Sequence, residues 1–559
     1  LVVETLLFAS VSVPPRVDPW SAKAVERTTM RNLHFPGRSP VHATEAMAAT
    51  SQPLATATAL AVMRDGGNAI DAAVAAAAVL AVVEPESTGI GGDCFVLLAP
   101  KGGARIVAYN GSGRAPAAAT AEWYLERGIR TIDRFTPHAV TVPGAVDAWA
   151  RLVEDHGSRD LGELLRPAIA LAENGYPVHS RVRWDWMNEI ETLKRNATAR
   201  RLFVPGGKAP AVGSRHRQPE LAATLKRIAS LGRDGFYKGP VARDIVRYLR
   251  KLGGLHTTDD FAAAGGEYVA PIKTAYGGYE VFECPPNGQG IVALLMLNVL
   301  SGFRLRDLAP LSAARLHLEI EAARLAYRDR DFFVGDPRHA AVPVKALLSR
   351  ARAAALRSAI DPERAMAPLP PTPLPEHPNT VCFSVVDRDR NAVSFINSLY
   401  HPFGSGLMAP KWGVMLQNRG EGFVVEPGHP NCIGPGKRPL HTIIPGMLAK
   451  KGRAVMPFGV MGGAYQAQGH VHLLTNVLDH GLDLQEAIDL PRLNATVEGQ
   501  VDVEAGMPAE AVRGLEALGH RLVPAPKPIG GAQAIWIDWK RGVLTGASEP
   551  RKDGLALGY

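Results

Sequence analysis

Thr380 stands where a proline-rich stretch runs into a strand. Pro362, Pro368, Pro370, Pro371, Pro373, Pro375 and Pro378 precede it. A segment so rich in proline is neither helix nor central strand, so 361–378 reads as an extended linker. The run Thr-Val-Cys-Phe-Ser-Val-Val follows over Thr380–Val386, a strong strand pattern. A threonine opening a strand is by itself a β-former. Its hydroxyl is a weak nucleophile and acts as one only with a base beside it. The pair Gly462-Gly463 is the second feature of interest. Two adjacent N–H groups with no side chains over them suit a developing oxyanion, although an isolated Gly-Gly is a plain tight turn.

Other reactive patterns are weaker. The Gly-rich turn Thr88–Asp93 precedes a strand instead of opening a helix, which argues against a phosphate loop. His429, His441, His470 and His472 make no H-E-x-x-H pattern, and His470 and His472 on one helix would point apart. Cys94, Cys284, Cys382 and Cys432 contain no C-x-x-C pair, which suits a reducing compartment. No metal and no cofactor is expected. The chain carries 62 Lys and Arg against 54 Asp and Glu, a net charge of +8. That surplus reads as a solvated basic surface, with attraction of small anionic substrates as the sharper alternative. Nucleic acid is not an expected partner: the densest basic patch, Arg195 to Arg201, has no interleaved aromatics, and no zinc-finger spacing or RNP motif occurs. Nor is a membrane, since no apolar run reaches about 18 residues.

The elements that must hold these residues are legible in outline. A chain of 559 residues is long enough for roughly three or four domains' worth of structure. Residues 54–64 have helical apolar spacing and stop at Asp65-Gly66-Gly67-Asn68. Residues 69–83 are apolar on every side apart from Asp71, the pattern of a buried helix. Two hairpins are predicted, one pairing 94–98 with 105–109 and one pairing 380–386 with 392–398. Helices are predicted to dominate 146–252 and to return over 466–479 and 483–489. Hairpins and buried helices without regular βαβ alternation predict an α+β layered sandwich.

Taken together, the ordered blocks resemble the γ-glutamyltranspeptidase family. They are Asp65–Ala73, Val83-Glu84-Pro85, Val142-Pro143-Gly144, Asn379-Thr380 with Ser384–Asp387, Phe403–Gly406, Gly434–Pro439 and Gly462-Gly463. The resemblance runs from about Ala48 to the C-terminus. It implies an N-terminal-nucleophile hydrolase with a four-layer αββα sandwich that cleaves its own chain at Asn379–Thr380. The expected organisation is a disordered or non-native extension over 1–29, ahead of Met30, then a large-fragment region 30–379 that ends in the proline-rich linker and a small catalytic region 380–559. Thr380 would then be the nucleophile and its freed α-amine the base. Ser398 would support it, and Gly462 and Gly463 would form the oxyanion hole. The two fragments are expected to stay intertwined, and a homodimer of that pair is compatible with the resemblance.

The substrate side departs from the family's pattern. Arg114 is the candidate to grip a substrate carboxylate, but it lies two residues nearer to Ala115-Pro116 than is usual. His441 and Thr442 stand where two serines are usual. Gly422 takes the place of the Asp that holds a substrate ammonium, Arg419 that of a Gln, and Tyr400 that of an Asn. Arg419 would repel an ammonium, and Glu421, if on a strand, would face away from Gly422's side. Asn418, Glu421 and Arg438 complete the substrate-side candidates. These departures favour a small amide of a carboxylate-bearing acyl group, with water or an amine as acceptor, and Gly111–Arg114, Ser398–His401 and Gly459–Gly463 together resemble the branch that includes oxamate amidohydrolase. Glutathione and other γ-glutamyl compounds are the alternative substrates. An uncleaved, inactive binding relative is the alternative of another class. Leu1–Val13 carries Glu4 and no basic start, a poor export signal, so the cytoplasm is expected, with the periplasm as alternative.

Overall fold

The computed structural model describes residues 37–103, 105–369 and 379–559. The expected extension 1–29 and the linker residues 370–378 lie outside them. Two seven-stranded sheets face each other, and every neighbouring pair of strands within them is antiparallel. One sheet orders Leu555–Gly558, Met47–Thr50, Asn379–Val386, Ala392–Tyr400, Asp93–Ala99, Val107–Gly111 and Glu267–Val269. The other orders Val41–Ala43, Val543–Ser548, Gly531–Asp538, Arg453–Met461, Pro445–Lys450, Tyr279–Glu283 and Ile272–Tyr276. Helices cover both outer faces, so the expected αββα layering is observed.

Alternation along the strand after the linker shows how the layers lock. Val381, Phe383 and Val385 pack outward on the helix Ala69–Val83 and its neighbours. Cys382 and Val386 point the other way, into the core between the sheets with Phe95, Ile396 and Met447. Ser384 sits on that inner face and donates to Pro457 O at 3.1 Å. With both faces buried, a one-residue slip of this strand would drive Ser384 into the helix layer.

The helix Ala69–Val83 is buried along its whole length, as its composition predicts. Asp71 is tolerated there because it closes a capping box with Asn68 and accepts from Ser158 N and Oγ and from Arg159 N. Its charge replaces water with N–H and O–H donors.

The linker is not free over its whole length. Residues 361–369 lack helix, but Met366 N donates to Glu321 Oε2 at 3.0 Å, and the Arg324 guanidinium donates to Met366 O and Ala367 O. This first part of the expected extended linker is thus tied to the helix Ala313–Phe333.

A buried ion pair closes the end of the second sheet. Arg492 Nη2 lies 2.5 Å from Glu549 Oε2 and also donates to Ile488 O, while its Nη1 reaches Ile529 O. Burial pushes the Glu549 carboxyl up, but Arg492 and Arg551 outweigh it and hold it down at about 2. Such a group contributes stability above the ordinary carboxylate range and loses it as pH falls toward 2. Glu549→Gln is expected to destabilise the protein by about 3–5 kcal/mol, because Arg492 is left buried without its partner. Urea unfolding at pH 7 should show that loss. Below pH 4.5 the gap between variant and parent should narrow. A constant gap down to pH 3 would refute the assignment.

Candidate active site

Thr380 sits in a β-bulge. Asn379 pairs with Tyr400 and Val381 with Asn397, so Ser398 and Leu399 together oppose the single residue Thr380. An extra residue bends a strand and re-aims side chains. Tyr400 completes the kink in the left-handed region, at φ +82°, which costs a non-glycine residue energy and persists only where its surroundings hold it. The bulge turns the Ser398 hydroxyl to Thr380: the two oxygens lie 3.0 Å apart, both buried. Ser398 Oγ also accepts from Tyr400 N at 2.9 Å and from Arg419 Nη2 at 3.3 Å.

Gly462 and Gly463 follow the strand Arg453–Met461 and both have left-handed φ, +123° and +62°. A Cβ on Gly462 would stand 2.9 Å from Gly530 Cα. Gly462 and Thr380 share the wall of one small cavity of about 40 Å³ with Met461, Tyr465 and Lys527. Gln289 props the turn from behind. Its Nε2 donates to Gly463 O at 2.9 Å and Thr442 O at 2.8 Å, while Arg330 Nη1 donates to its Oε1 at 2.9 Å. Gln289 was not a sequence candidate, and nothing local marks it.

The substrate-side candidates separate into four groups. Arg419 and Thr442 join Ser398: Arg419 Nη1 donates to Thr442 Oγ1 at 2.8 Å, and the guanidinium lies 4.0 Å over the Tyr400 ring. Burial lowers the Arg419 pKa to about 10, still charged at neutral pH.

His441 is turned to Asp93, Nε2 to Oδ2 at 3.0 Å. Burial first, and the nearby Arg419 charge next, pull its pKa to about 3, so it is neutral and donates to Asp93. Asp93 Oδ1 accepts from Gly113 N, Gly144 N and Gln417 Nε2. This carboxylate, at the end of the Gly-rich turn, is the hub that holds three loops together. Its acidic type within a glycine run is the one signal that could have pointed to it.

Arg114 and Arg438 form the third group. Arg114 Nη1 donates to Gly436 O at 3.0 Å, and its guanidinium stands 3.6 Å from Asp336 and 3.6 Å from Glu267. Arg438 pairs with Glu267 and donates to Ser112 O at 3.1 Å. Both guanidinium groups are thus held by carboxylates of the chain itself, which the sequence pattern did not reveal.

Asn418 and Glu421 lie at the short 3₁₀ turn Arg419–Gly422, not on a strand, so the alternating-face argument does not apply to Glu421. Asn418 Nδ2 donates to Glu421 Oε2 at 2.5 Å, and burial raises the Glu421 carboxyl to about 7.

A threonine at the opening of a strand, a serine hydroxyl 3.0 Å from its own and a Gly-Gly turn on the wall of the same cavity, all inside an αββα sandwich, are the arrangement of an N-terminal-nucleophile hydrolase. The chain belongs to the γ-glutamyltranspeptidase family, whose model matches residues 55–559, and is an amidohydrolase of that kind. It is 38% identical to the glutathione hydrolase-like YwrD proenzyme of Bacillus subtilis over 509 residues, 89% of this chain and 95% of that one. It is 36% identical to the oxamate amidohydrolase proenzyme of Klebsiella pneumoniae over 530 residues, 92% of this chain and 99% of that one. The crystal structure of a cephalosporin acylase from Bacillus halodurans superposes with a TM-score of 0.89 at 40% identity, covering 95% of this chain and 99% of that one. No helix among the described residues is long and apolar enough to cross a membrane.

Proposed function

We propose that the chain cleaves its Asn379–Thr380 bond and that the freed Thr380 hydrolyses the amide of a carboxylate-bearing acyl group lacking the γ-glutamyl ammonium. Cleavage supplies the base that a threonine hydroxyl needs. The new α-amine, with a reference pKa of about 7.7–8.0, works near neutral pH. Thr380 Oγ1 attacks the amide carbonyl as the α-amine takes its proton. The tetrahedral oxyanion is met by N–H groups of Gly462 and Gly463. The α-ammonium then returns the proton to the leaving amine. Water repeats the sequence on the ester and releases the acid. Ser398, 3.0 Å from Oγ1, holds the hydroxyl in place.

The fragments 1–379 and 380–559 would remain one body, because each sheet interleaves strands from both sides of the cut. Neither fragment could cover its strands alone.

One observation carries the choice of acyl group. Arg419 lies within hydrogen-bond distance of Ser398, beside the nucleophile, and Gly422 offers no carboxylate there. A substrate ammonium in that space would meet a cation. The likeness to glutathione hydrolases supports γ-glutamyl compounds as the second reading. Purified, cleaved protein is expected to release ammonia from oxamate faster than it cleaves a γ-glutamyl anilide. Efficient anilide turnover blocked by glutamate analogues would reverse that order.

A further inference from the structure

We propose that Arg419 is the carboxylate receptor for the acyl group, and that it limits that group to a carboxylate joined to the scissile carbonyl directly or through one carbon. The inference rests on the reading of Thr380 as nucleophile.

Arg419 is fully buried. Two of its donors reach neutral hydroxyls, Thr442 Oγ1 at 2.8 Å and Ser398 Oγ at 3.3 Å. Its Nε has no hydrogen-bond partner among the described residues. Among those residues no carboxylate pairs with it. Asp93 is taken up by Gly113, Gly144, Gln417 and His441, and Glu421 by Asn418. Burying a cation without an anion is costly, and removing the partner of a buried pair typically shows how costly. The Tyr400 ring face at 4.0 Å offsets part of this. The remaining donors form the planar fork that matches a carboxylate.

The neighbouring cations are not in the same state. Arg114 and Arg438 already face Glu267, and Arg114 also faces Asp336. Arg419 is therefore the guanidinium next to the nucleophile that still lacks an anion.

Geometry limits the anion's size. Arg419 Nη2 to Ser398 Oγ is 3.3 Å, and Ser398 Oγ to Thr380 Oγ1 is 3.0 Å. Nη2 thus lies no further from the nucleophile than these two contacts laid end to end. In an acyl-enzyme about 1.4 Å of that path is the new C–O bond, and about 2.8 Å is the charge-assisted hydrogen bond. What is left of that straight path, roughly 2 Å, is about the span of one C–C bond and one C–O bond. An oxalyl group fits and a malonyl group fits when bent. A γ-glutamyl chain places its carboxylate about 5 Å from its carbonyl when extended, which overshoots.

Titration calorimetry of the cleaved enzyme with oxalate, malonate, succinate and glutarate tests this without relying on turnover. Oxalate or malonate is expected to bind most tightly, with succinate and glutarate at least tenfold weaker. Arg419→Gln should weaken the best binder by thirtyfold or more, and Arg419→Lys should retain part of the affinity. In kinetics with oxamate, the Arg419→Gln loss should fall mainly in KM. Affinity rising steadily toward glutarate would overturn the proposal, as would Arg419→Gln binding within threefold of the parent. If Arg419→Gln does not fold, the chain-length order in the parent decides alone. Tight, Arg419-dependent oxalate binding without hydrolysis of any amide would uphold the receptor and sink the proposed reaction. Oxamate hydrolysis indifferent to Arg419 would do the opposite.

Discussion

Thr380→Ala is expected to leave a single uncut chain and no amide hydrolysis. On the proposed reading, the substitution removes the hydroxyl that attacks the scissile peptide in the precursor and the same hydroxyl that attacks substrate in the mature enzyme. Activity is expected to fall by on the order of 10⁴ or more, as when a covalent nucleophile is deleted. Intact mass and N-terminal sequencing make the test sharp. The parent should give fragments 1–379 and 380–559, the smaller beginning Thr380-Val381-Cys382. Thr380→Ser keeps the hydroxyl and the prospective amine, so it should still cleave, more slowly. Folding is not the source of the expected loss, since the methyl and hydroxyl removed lie at the end of a strand anchored by Val381, Phe383 and Val385. Cleavage of the alanine variant at the same bond would show that another group performs the scission. A parent chain that stays whole for days would mean that the fold has outlived its chemistry, and the chain would then be a binding relative.

Gly462→Ala is the second large effect. At φ +123° an alanine is strained, and its Cβ would meet Gly530 Cα at 2.9 Å. Both are backbone positions, so neither can step aside cheaply. The turn must shift, and its N–H groups move with it. Losing one oxyanion donor typically costs about 10²–10³ in kcat. The expected result on cleaved protein is a kcat lower by that factor with KM changed little, because the interaction forms in the transition state and not with the ground-state amide. Gln289 should show a weaker form of the same signature, since it holds Gly463 O from behind. A Gly462→Ala enzyme within threefold of parent kcat would place the oxyanion elsewhere. A fall in thermal stability without a kcat change would leave the turn only a structural part.

What could be read in advance follows from the range of each interaction. The buried helix 69–83, the hairpin after Thr380 and the Gly462-Gly463 turn depend on residues a few positions apart. Their periodicity and turn chemistry are written locally, and the strand boundaries moved by only one or two residues, as in Val107–Gly111 against the expected 105–109. Thr380 itself stood out because proline cannot continue into a sheet, so the change of structure was marked on both sides of it.

Partner choice among charged side chains was not local. Arg114 had the right type and neighbourhood for a substrate carboxylate, yet Glu267 and Asp336, more than 150 positions away, already stand beside it. Arg419 looked like an obstacle, and the 3₁₀ turn that carries it looked like strand. Only the bulge at Ser398 and Leu399 brings its guanidinium beside the nucleophile. The amino-acid sequence thus determined the layers, the strand that carries Thr380 and the glycine turn, since these rest on periodicity and backbone freedom. The tertiary structure alone decided which cation is paired with a carboxylate and which is not, because a charge's state depends on whatever the fold places within a few ångströms of it.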